Sequence, residues 1–337
     1  MSKPKKNSFN YGGQAVIEGV MMRGPNHFSV ACRRENQEVV ISTEPIEKSI
    51  LGRLKWLNKP FLRGTLAMID TMVLGMKALM FSANIAMEDA EVADAAEKNK
   101  KRAENEAPLV EQDAAPKKKA VNDIALGATI FLGLGIGVVL FMLLPVALTI
   151  QLKKVSVDHR IWLGLTEGGI KIVLFVGYVW LISRMRDIRR VFEYHGAEHK
   201  IISVHEAGEE LTVENANKHS TVHVRCGTSF LLVVLVTSIL IFSLIPWETI
   251  FQRFVLKLAL LPVVAGIAYE IIKFAGKRKE SALLRVILWP GLLMQKLTTQ
   301  QPSPDQIEIA ITALKSVMAQ EEDGREPAPQ PVAQHHH

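Results

Sequence analysis

The chain has 337 residues, 48% of them hydrophobic, and a formal net charge of +6 at pH 7. That length fits one large domain or two small ones, and so small a charge indicates basic loops retained in the cytosol rather than nucleic acid binding. The chain contains two cysteines, Cys32 and Cys226, which excludes a disulfide framework. The lysines near the amino terminus are not followed by an early apolar core, so we expect no secretory signal peptide.

An unusual glycine-rich run covers residues 12–25 and reads GGQAVIEGVMMRGP. Its glycines predict positive φ angles or close approach of the backbone to other groups. Glu18 and Arg23 lie among apolar residues, and a buried carboxylate needs a partner, which we expect to be Arg23 or a metal ion. The alternative is the glycine-rich start of a strand with one structural ion pair. No Gly-Lys-Ser/Thr follows, which excludes a phosphate-binding loop.

Residues 1–87 are predicted to form an amino-terminal cytosolic region that contains this run, a small β unit and an amphipathic helix. Residues 28–34 and 38–43 are rich in β-branched or aromatic side chains and are joined by a polar turn, which indicates a hairpin. Residues 61–87 are apolar except for charges seven residues apart, at Arg63, Asp70 and Lys77. We expect this helix to lie on the membrane or pack on the spans, because a charge at the bilayer centre costs about 3 kcal/mol.

Apolar segments long enough to cross a membrane fill the second half of the chain. After a flexible charged linker predicted over residues 88–123, we expect a membrane domain over residues 124–298. A helix needs about 20 mostly apolar residues to cross a bilayer. The segments that meet this requirement are residues 124–150, 161–183, 228–247 and 255–274, whereas the shorter run 282–294 is expected to be interfacial or re-entrant.

The expected fold class is therefore a mainly α-helical polytopic membrane protein. It has about four transmembrane helices, a small amino-terminal β unit and amphipathic helices. Basic clusters at residues 117–119, 184–190 and 273–279 fall on one side of four spans, which predicts that this side and both termini are cytoplasmic. Glu167 and Lys171 of the second span are four residues apart, and we interpret them as a structural ion pair.

The cytosolic loop predicted at residues 184–227 holds the densest set of metal-ligand residue types. His195 and His199 are four residues apart, which places two imidazoles on one face of a helix. Glu198 directly precedes the second histidine, which gives the H-x-x-E-H order of inverted zinc peptidases. The loop therefore has the residue types of a metal-dependent hydrolase.

A second cluster follows in the same loop, at His219, His223 and Cys226. Their spacing of i, i+4 and i+7 places all three on one face if the segment is helical. Neutral imidazoles and a thiolate suit Zn²⁺ or another divalent metal. The alternative is that these histidines bond lipid headgroups or backbone carbonyls at the bilayer surface. Whether the two clusters form one site or two is left open by the sequence.

Residues 299–334 are predicted to contain a short amphipathic helix, at 304–320, and a disordered proline-rich tail. The three histidines at 335–337 are interpreted as the remnant of an expression tag and carry no argument.

Three motifs in order resemble the YqhQ family of bacterial inner-membrane proteins, which are described as predicted metal-dependent enzymes. They are GGQAVIEGVMMRGP at residues 12–25, EYHGAEHK at 193–200 and RCGTSF at 225–230. The resemblance implies a multi-pass protein of the bacterial inner membrane with a metal-dependent activity. Genes of this family adjoin genes for a ribosomal protein and a release factor, which implies ribosome or translocon contact. A proline commonly precedes the family's Arg-Cys-Gly, whereas this chain has Val224.

The leading hypothesis is a metal-dependent hydrolase at the cytosolic membrane face. His195 and His199 would bind the metal with one or more residues of the second cluster. Glu198 or Glu18 would act as general base, and Arg23 or Arg225 would stabilise a developing oxyanion or bind an anionic headgroup. The substrate would be a lipid, a membrane-embedded peptide or a lipid-linked sugar.

Two further hypotheses remain. A non-enzymatic factor would assist membrane protein assembly or translation and would use the metal as a structural element. A closed shell of four ligands favours that factor, and an open position beside Glu198 favours the enzyme. A transporter component is the third hypothesis, and with about four spans it would need a homo-oligomer.

Overall fold

The computed structural model describes residues 11–46, 62–104, 123–153, 160–223, 226–245, 250–277 and 282–323. The elements are, in chain order, β1 (Gly12–Val16), β2 (Gly19–Arg23), β3 (His27–Arg33), β4 (Val39–Pro45), α1 (Leu62–Glu104), α2 (Asp123–Val138), a π-helical turn (Val139–Leu143), α3 (Leu144–Lys153), α4 (Arg160–Ile182), α5 (Arg186–Ala207), α6 (Val213–Lys218), α7 (Gly227–Leu244), α8 (Ile250–Lys277), α9 (Ala282–Thr298) and α10 (Pro304–Asp323). The mainly helical fold with a small amino-terminal β unit, expected from the sequence, is confirmed.

The four strands form one antiparallel sheet in the order β1-β2-β3-β4, and helices cover both of its faces. Val20 and Met22 of β2 belong to the core with α5 and α10, whereas Met21 between them packs with Leu74 and Ile85 of α1. Side chains alternate between the faces of a strand, so a run of three buried apolar residues requires cover on both sides. The predicted hairpin corresponds to β3 and β4, and the glycine-rich run forms β1 and β2.

Helix α1 is longer than the sequence predicts. It contains 43 residues, which corresponds to about 65 Å, and includes residues 88–104 of the predicted linker. Residues 105–122 of that linker lie outside the described residues. Near its start α1 packs on α8, where the Thr65 hydroxyl donates a hydrogen bond to the Pro262 carbonyl (2.9 Å). Farther along it packs on the sheet. Its Gly64–Lys100 segment is long and apolar enough to be a candidate span, in addition to the predicted four.

The four predicted spans are present as long apolar helices. The candidate spans they form are Phe131–Gln151, Ile161–Ile182, Gly227–Leu244 and Phe254–Phe274. Large apolar side chains point away from the protein along them; Phe131 is 79% exposed and Val173 is 71% exposed. Such surfaces are stable only in contact with lipid. The chain is therefore a multi-pass membrane protein.

The ion pair predicted in the second span is confirmed and has a third member. Lys171 Nζ lies 2.8 Å from Glu167 Oε1, and Lys257 Nζ of α8 lies 2.6 Å from the same oxygen. Glu167 is buried, so its charge requires compensation by cations from two helices. The sequence alone did not indicate Lys257 because it lies 90 residues from Glu167.

The predicted loop between the second and third spans is largely helical. Helix α5 ends where Gly208 adopts a φ of 71°, and its N–H bonds the His205 carbonyl as helix C-caps with glycine do. Helix α6 begins after Thr212, whose hydroxyl accepts a hydrogen bond from the Asn215 N–H (3.2 Å). Helix α5 therefore presents its side chains from a rigid backbone between the membrane spans and the sheet.

Candidate metal centre

His195, His199 and Cys226 form a compact group of ligand atoms. The two histidines lie one turn apart on α5, and their ring centroids are 4.4 Å apart. Cys226 is the N-cap of α7, and its sulfur lies 3.3 Å from His195 Nε2. One ligand atom from each residue lies within 4.8 Å of the other two. The group could hold a metal ion.

Backbone carbonyls fix the orientation of both imidazoles. His195 Nδ1 lies 2.8 Å from the Thr298 carbonyl oxygen, and His199 Nδ1 lies 2.5 Å from the Thr221 carbonyl oxygen. A carbonyl oxygen only accepts, so each Nδ1 carries the hydrogen. In the neutral tautomer, Nε2 is then the atom with a free lone pair. A backbone carbonyl on the far ring nitrogen is the arrangement typical of metal-binding histidines.

The separation between Cys226 and His195 fits tetrahedral zinc. With bonds of about 2.3 Å to sulfur and 2.05 Å to nitrogen, two ligand atoms of a tetrahedral site lie about 3.5 Å apart. The observed distance of 3.3 Å between Cys226 Sγ and His195 Nε2 is close to this value. The sulfur also lies 3.4 Å from the Thr228 amide nitrogen and 3.0 Å from its hydroxyl. The amide donates to the sulfur, and the hydroxyl is also able to donate; such donors favour the thiolate, which is the form that binds metals.

Glu198 is buried beside this group. Burial raises the pKa of its carboxyl, and the raise is opposed by the charges of His195 and His223 and by a hydrogen bond from the Gly13 N–H. A Cβ built at Gly13 would lie 2.9 Å from Glu198 Cγ and 2.6 Å from the Met21 carbonyl oxygen. The glycine-rich run therefore lies against this group, which the sequence left open, and Gly13 makes the predicted close backbone contact that only glycine permits.

Glu18 is bound elsewhere, and its partner is Arg190 rather than Arg23. It occupies the turn between β1 and β2 with a φ of 49°, and its carboxylate forms a two-pronged ion pair with Arg190 of α5. The Tyr194 hydroxyl donates a further hydrogen bond to it (3.3 Å). Burial and the Glu18 charge raise the pKa of Tyr194. Arg23 ends β2 opposite Gly12.

The remaining predicted ligands have other partners. His219 Nε2 lies 3.1 Å from a Glu209 carboxylate oxygen, and His223 Nε2 lies 3.5 Å from one of Glu206. His219 is the C-cap of α6 with extended backbone, so it does not share a helical face with Cys226. Within the described part of the chain, the ligand group therefore contains neither of these histidines. Arg225 lies outside the described residues.

Comparison with known proteins places the chain in a family. Residues 59–320 match the sequence profile of a family described as "Protein of unknown function (DUF1385)". The chain belongs to this family. It is 32% identical over 317 residues to the "Uncharacterized protein YqhQ" of Bacillus subtilis (strain 168), covering 91% of this chain and 92% of that relative. The resemblance drawn from the three motifs is confirmed. No solved structure matches the chain.

Two residues that orient the imidazoles of this DUF1385 chain cannot be recognised from the sequence. Thr298 and Thr221 contribute backbone carbonyls, which any residue supplies. Gln295 of α9 is different, because its side chain accepts from the His223 N–H (2.8 Å) and donates to the His223 carbonyl (2.8 Å) and the Ser229 hydroxyl (2.7 Å). A glutamine near the end of an apolar helix is the one signal that could have indicated α9 as part of the site, and it was not recognised from the sequence.

Proposed function

We propose that this protein is a metal-dependent membrane enzyme, most simply a hydrolase, with Zn²⁺ or a similar divalent ion bound by His195, His199 and Cys226. The observation that carries the proposal is the pair of hydrogen bonds from Nδ1 to backbone carbonyls. These bonds leave both Nε2 atoms free of hydrogen; His195 Nε2 lies 3.3 Å from the Cys226 sulfur, and a ring nitrogen of His199 lies within 4.8 Å of both. Side chains that merely bonded lipid headgroups would not need to converge in this way.

The number of ligands favours catalysis over a structural role. Structural zinc sites use four protein ligands, whereas catalytic sites use three and keep one position open. Three ligand atoms converge here among the residues that the structure describes. A divalent ion with an open position polarises a carbonyl or phosphoryl oxygen and activates water.

Glu198 is the residue we propose as general acid or base. Its carboxylate is buried, it directly precedes a ligand on α5, and Gly13 holds it through a backbone hydrogen bond. Glu18, the other candidate, is engaged by Arg190 and Tyr194, which leaves it less suited to take a proton from water. Arg23 and Arg225 stay candidates for stabilising a developing negative charge.

We infer that the site faces the cytosol. The end of α4 is followed by a dense group of positive charges that extends into the first turns of α5, and cytoplasmic segments are enriched in lysine and arginine. These residues are Arg184, Arg186, Arg189 and Arg190. The proposed ligands lie on α5, directly after these arginines.

One observation favours the second candidate function, a non-enzymatic factor for membrane protein assembly with a structural metal. The site joins α5 and α7 to the end of α9, and His195 bonds a carbonyl 103 residues away. A metal in this place would hold the helices together. In that case removing the metal would unfold the protein, as it does in zinc fingers.

The test is the metal content of the tag-free protein purified in detergent. We expect near-stoichiometric zinc or a related ion in the wild type and its loss in the His195→Ala/His199→Ala variant. His219→Ala is the matched control, because His219 lies in the same region but bonds Glu209, and it should keep the metal. A wild type without metal, or equal loss in the control, would reject the site.

Two readouts then separate the enzyme from the structural factor. Glu198→Gln should keep the metal and the thermal stability but abolish hydrolysis of extracted membrane lipids. Chelation that lowers the melting temperature by more than about 10 °C, with no hydrolysis by the wild type, would instead support the structural role.

A further inference from the structure

An apolar groove leads along α1 to the candidate metal centre. It has a volume of about 520 Å³ and lies between α1, α7 and α8. Cys226 and Gln14 lie in its lining, and the rest of the wall is mostly apolar, including Met68, Met72, Met76, Leu79, Phe230 and Ile272. This volume is in the range of pockets that bind organic ligands, about 300–1,000 Å³. Cys226, a candidate metal ligand, thus lies in the wall of an apolar groove, which suggests a path for an apolar substrate.

The groove opens toward the bilayer rather than toward water. Helices α7 and α8 form candidate membrane spans, and they supply Phe230 and Ile272 to its wall. On the α1 side, Met72 is 63% exposed and Met76 is 47% exposed. Flexible methionine side chains adapt to apolar partners of varied shape. An open apolar wall between membrane spans is in contact with lipid chains.

Two backbone donors at the edge of the sheet near the groove are already bonded, which disfavours an extended peptide there. Strand β1 is the edge strand of the sheet, and a peptide binding there would need its free backbone donors. The Gly13 N–H already bonds Glu198, and the Ile17 N–H bonds the Ser82 hydroxyl (3.3 Å). A peptide unwound in an apolar groove would leave its own backbone groups unpaired, which costs several kcal/mol each. An acyl chain has no such groups.

We propose that the groove binds an acyl chain of a membrane lipid and places the polar end of that lipid at Cys226. This inference rests on the proposed function and names its substrate class: an amphiphilic lipid whose hydrolysable bond lies where the chain meets the headgroup. The chain occupies the groove between α1 and α8, and the headgroup junction lies beside the three ligands. The substrate enters sideways from the bilayer.

The two cysteines of the chain allow a direct test. Burial and the Glu18 charge raise the pKa of Cys32 to about 12, so that thiol is unreactive and Cys226 is the reporter. The protein is reconstituted in phosphatidylcholine liposomes and stripped of metal with a chelator. Alkylation of Cys226 by N-hexadecyl maleimide and by a charged, membrane-impermeant maleimide is then followed by mass spectrometry.

A matched pair of substitutions on α1 tests the route. Thr71 lines the groove, whereas Val73 is exposed on the same helix and does not line it. We expect Thr71→Trp to slow the hexadecyl reagent about tenfold because it fills the groove. Val73→Trp should change the rate by less than about twofold. A variant with Leu132→Cys and Cys226→Ser carries its thiol on the lipid-exposed side of α2. Its labelling rate corrects for the reagent's concentration in the bilayer.

The outcomes separate the groove from the metal centre. Equal rates in the two tryptophan variants, or faster labelling by the charged reagent than by the hexadecyl reagent, would overturn the groove proposal. Blocking of the hexadecyl reaction by a transmembrane peptide but not by added phospholipid would overturn the lipid proposal and favour a peptide.

Re-addition of zinc provides the independent readout. Labelling that depends on the groove but is not slowed by zinc would leave the lipid site standing and reject the metal centre.

Discussion

Gly196 lies between His195 and His199 on α5, in a place where no side chain fits. A Cβ built there would lie 2.1 Å from the Gln300 carbonyl oxygen. The same residue, Gln300, donates its N–H to the Phe192 carbonyl (2.9 Å), so the chain after α9 is tied against α5. The Thr298 carbonyl that orients His195 is two residues before Gln300. The hydrogen bond that fixes the tautomer of His195 therefore depends on the neighbouring Gly196.

We expect Gly196→Ala to separate the two segments and to lower both metal occupancy and stability. The loss should be about 1–3 kcal/mol, because the displaced partner is backbone and cannot rotate away. Gly169→Ala is the control, since Gly169 is also helical but a Cβ there meets nothing within 4 Å. That change should be neutral or slightly stabilising. Thermal unfolding in detergent and metal analysis measure both effects, and equal behaviour of the variants would refute the packing argument.

Of the ligands proposed from the sequence, the structure brings His195, His199 and Cys226 together and gives His219 and His223 other partners. The spacing of His195 and His199 fixes their common face on any helix, so that inference needed no tertiary information. His219 and His223 are also four residues apart, but α6 ends before His219, so this spacing does not place their side chains on one helical face. Glu18 was paired with Arg23 on the basis of nearness in sequence, whereas the hairpin turn places it against Arg190 of a helix 172 residues later.

At the level of elements, α10 fastens the carboxy-terminal part of the described chain to the sheet. Its Glu321 is buried, and its carboxylate accepts hydrogen bonds from the Asn26 N–H (2.7 Å), the Asn26 side chain (2.9 Å) and the His27 N–H (2.7 Å). A Cβ at Gly24 would lie 2.7 Å from Glu321 Oε1. The turn between β2 and β3 is thus shaped around one carboxylate.

The Glu321 carboxylate makes the free energy of unfolding depend on pH in the acid range. Burial alone would raise the pKa of Glu321, but the hydrogen bonds from Asn26 and His27 outweigh it and lower the pKa below the usual 4.5. The unfolded chain then binds the proton more readily than the folded one. The stabilisation is complete above about pH 5 and is lost as the pH falls through the lower folded pKa.

Glu321→Gln should therefore destabilise the protein by about 1–3 kcal/mol at pH 7, the range for hydrogen bonds to a charged group. Its stability should also fall less steeply than that of the wild type below pH 5. Glu322→Gln, a substitution at the exposed neighbouring residue, serves as control. Unfolding of the three proteins by urea at pH 7 and at pH 4 gives the six values required. Parallel pH profiles for wild type and Glu321→Gln would contradict the assignment.

The elements themselves were predicted unevenly. The β3–β4 hairpin and α10 follow from β-branched content and helical spacing, which are local properties. The predicted β unit begins at residue 14, but β1 and β2 were not assigned as separate strands because glycine is depleted in strands. They form because Val20 and Met22 meet α5 and α10 while Met21 meets α1. Burial on both faces is a property of the assembled sheet.

For the whole molecule, the packing of α1 bears on how many times the chain crosses the membrane. The helix meets the length and hydropathy of a span, yet it packs on the sheet at Leu74 and Ile85. Beyond that point, Arg34 of the sheet bonds Glu88 (2.7 Å) and Asp89 (2.8 Å) of α1. A charged sheet does not reside in the hydrocarbon core. We therefore expect the sheet and the end of α1 to share one side.

Single cysteines in a chain with Cys32→Ser and Cys226→Ser test this topology. We expect Glu35→Cys and Lys98→Cys to react with an impermeant maleimide only after cells are lysed. Gln151→Cys, at the far end of the first of the four predicted spans, should react in intact cells. Labelling of Glu35→Cys and Lys98→Cys from opposite sides would show that α1 crosses the membrane. Labelling of Gln151→Cys only after lysis would reverse the inferred orientation.

The long separation between His195 and the Thr298 carbonyl also orders events during synthesis. A ribosome adds roughly 5–20 residues per second, so the 103 residues between them take about 5–20 seconds to make. Until then the His195 imidazole of a nascent chain lacks the carbonyl that orients it. His199 and Thr221 are only 22 residues apart and can form their hydrogen bond earlier. His195 is held in place only once the Thr298 carbonyl at the end of α9 has reached α5. On the proposed function, tight metal uptake would therefore be a late step, and a chain that carries metal would be one whose membrane part has finished assembling.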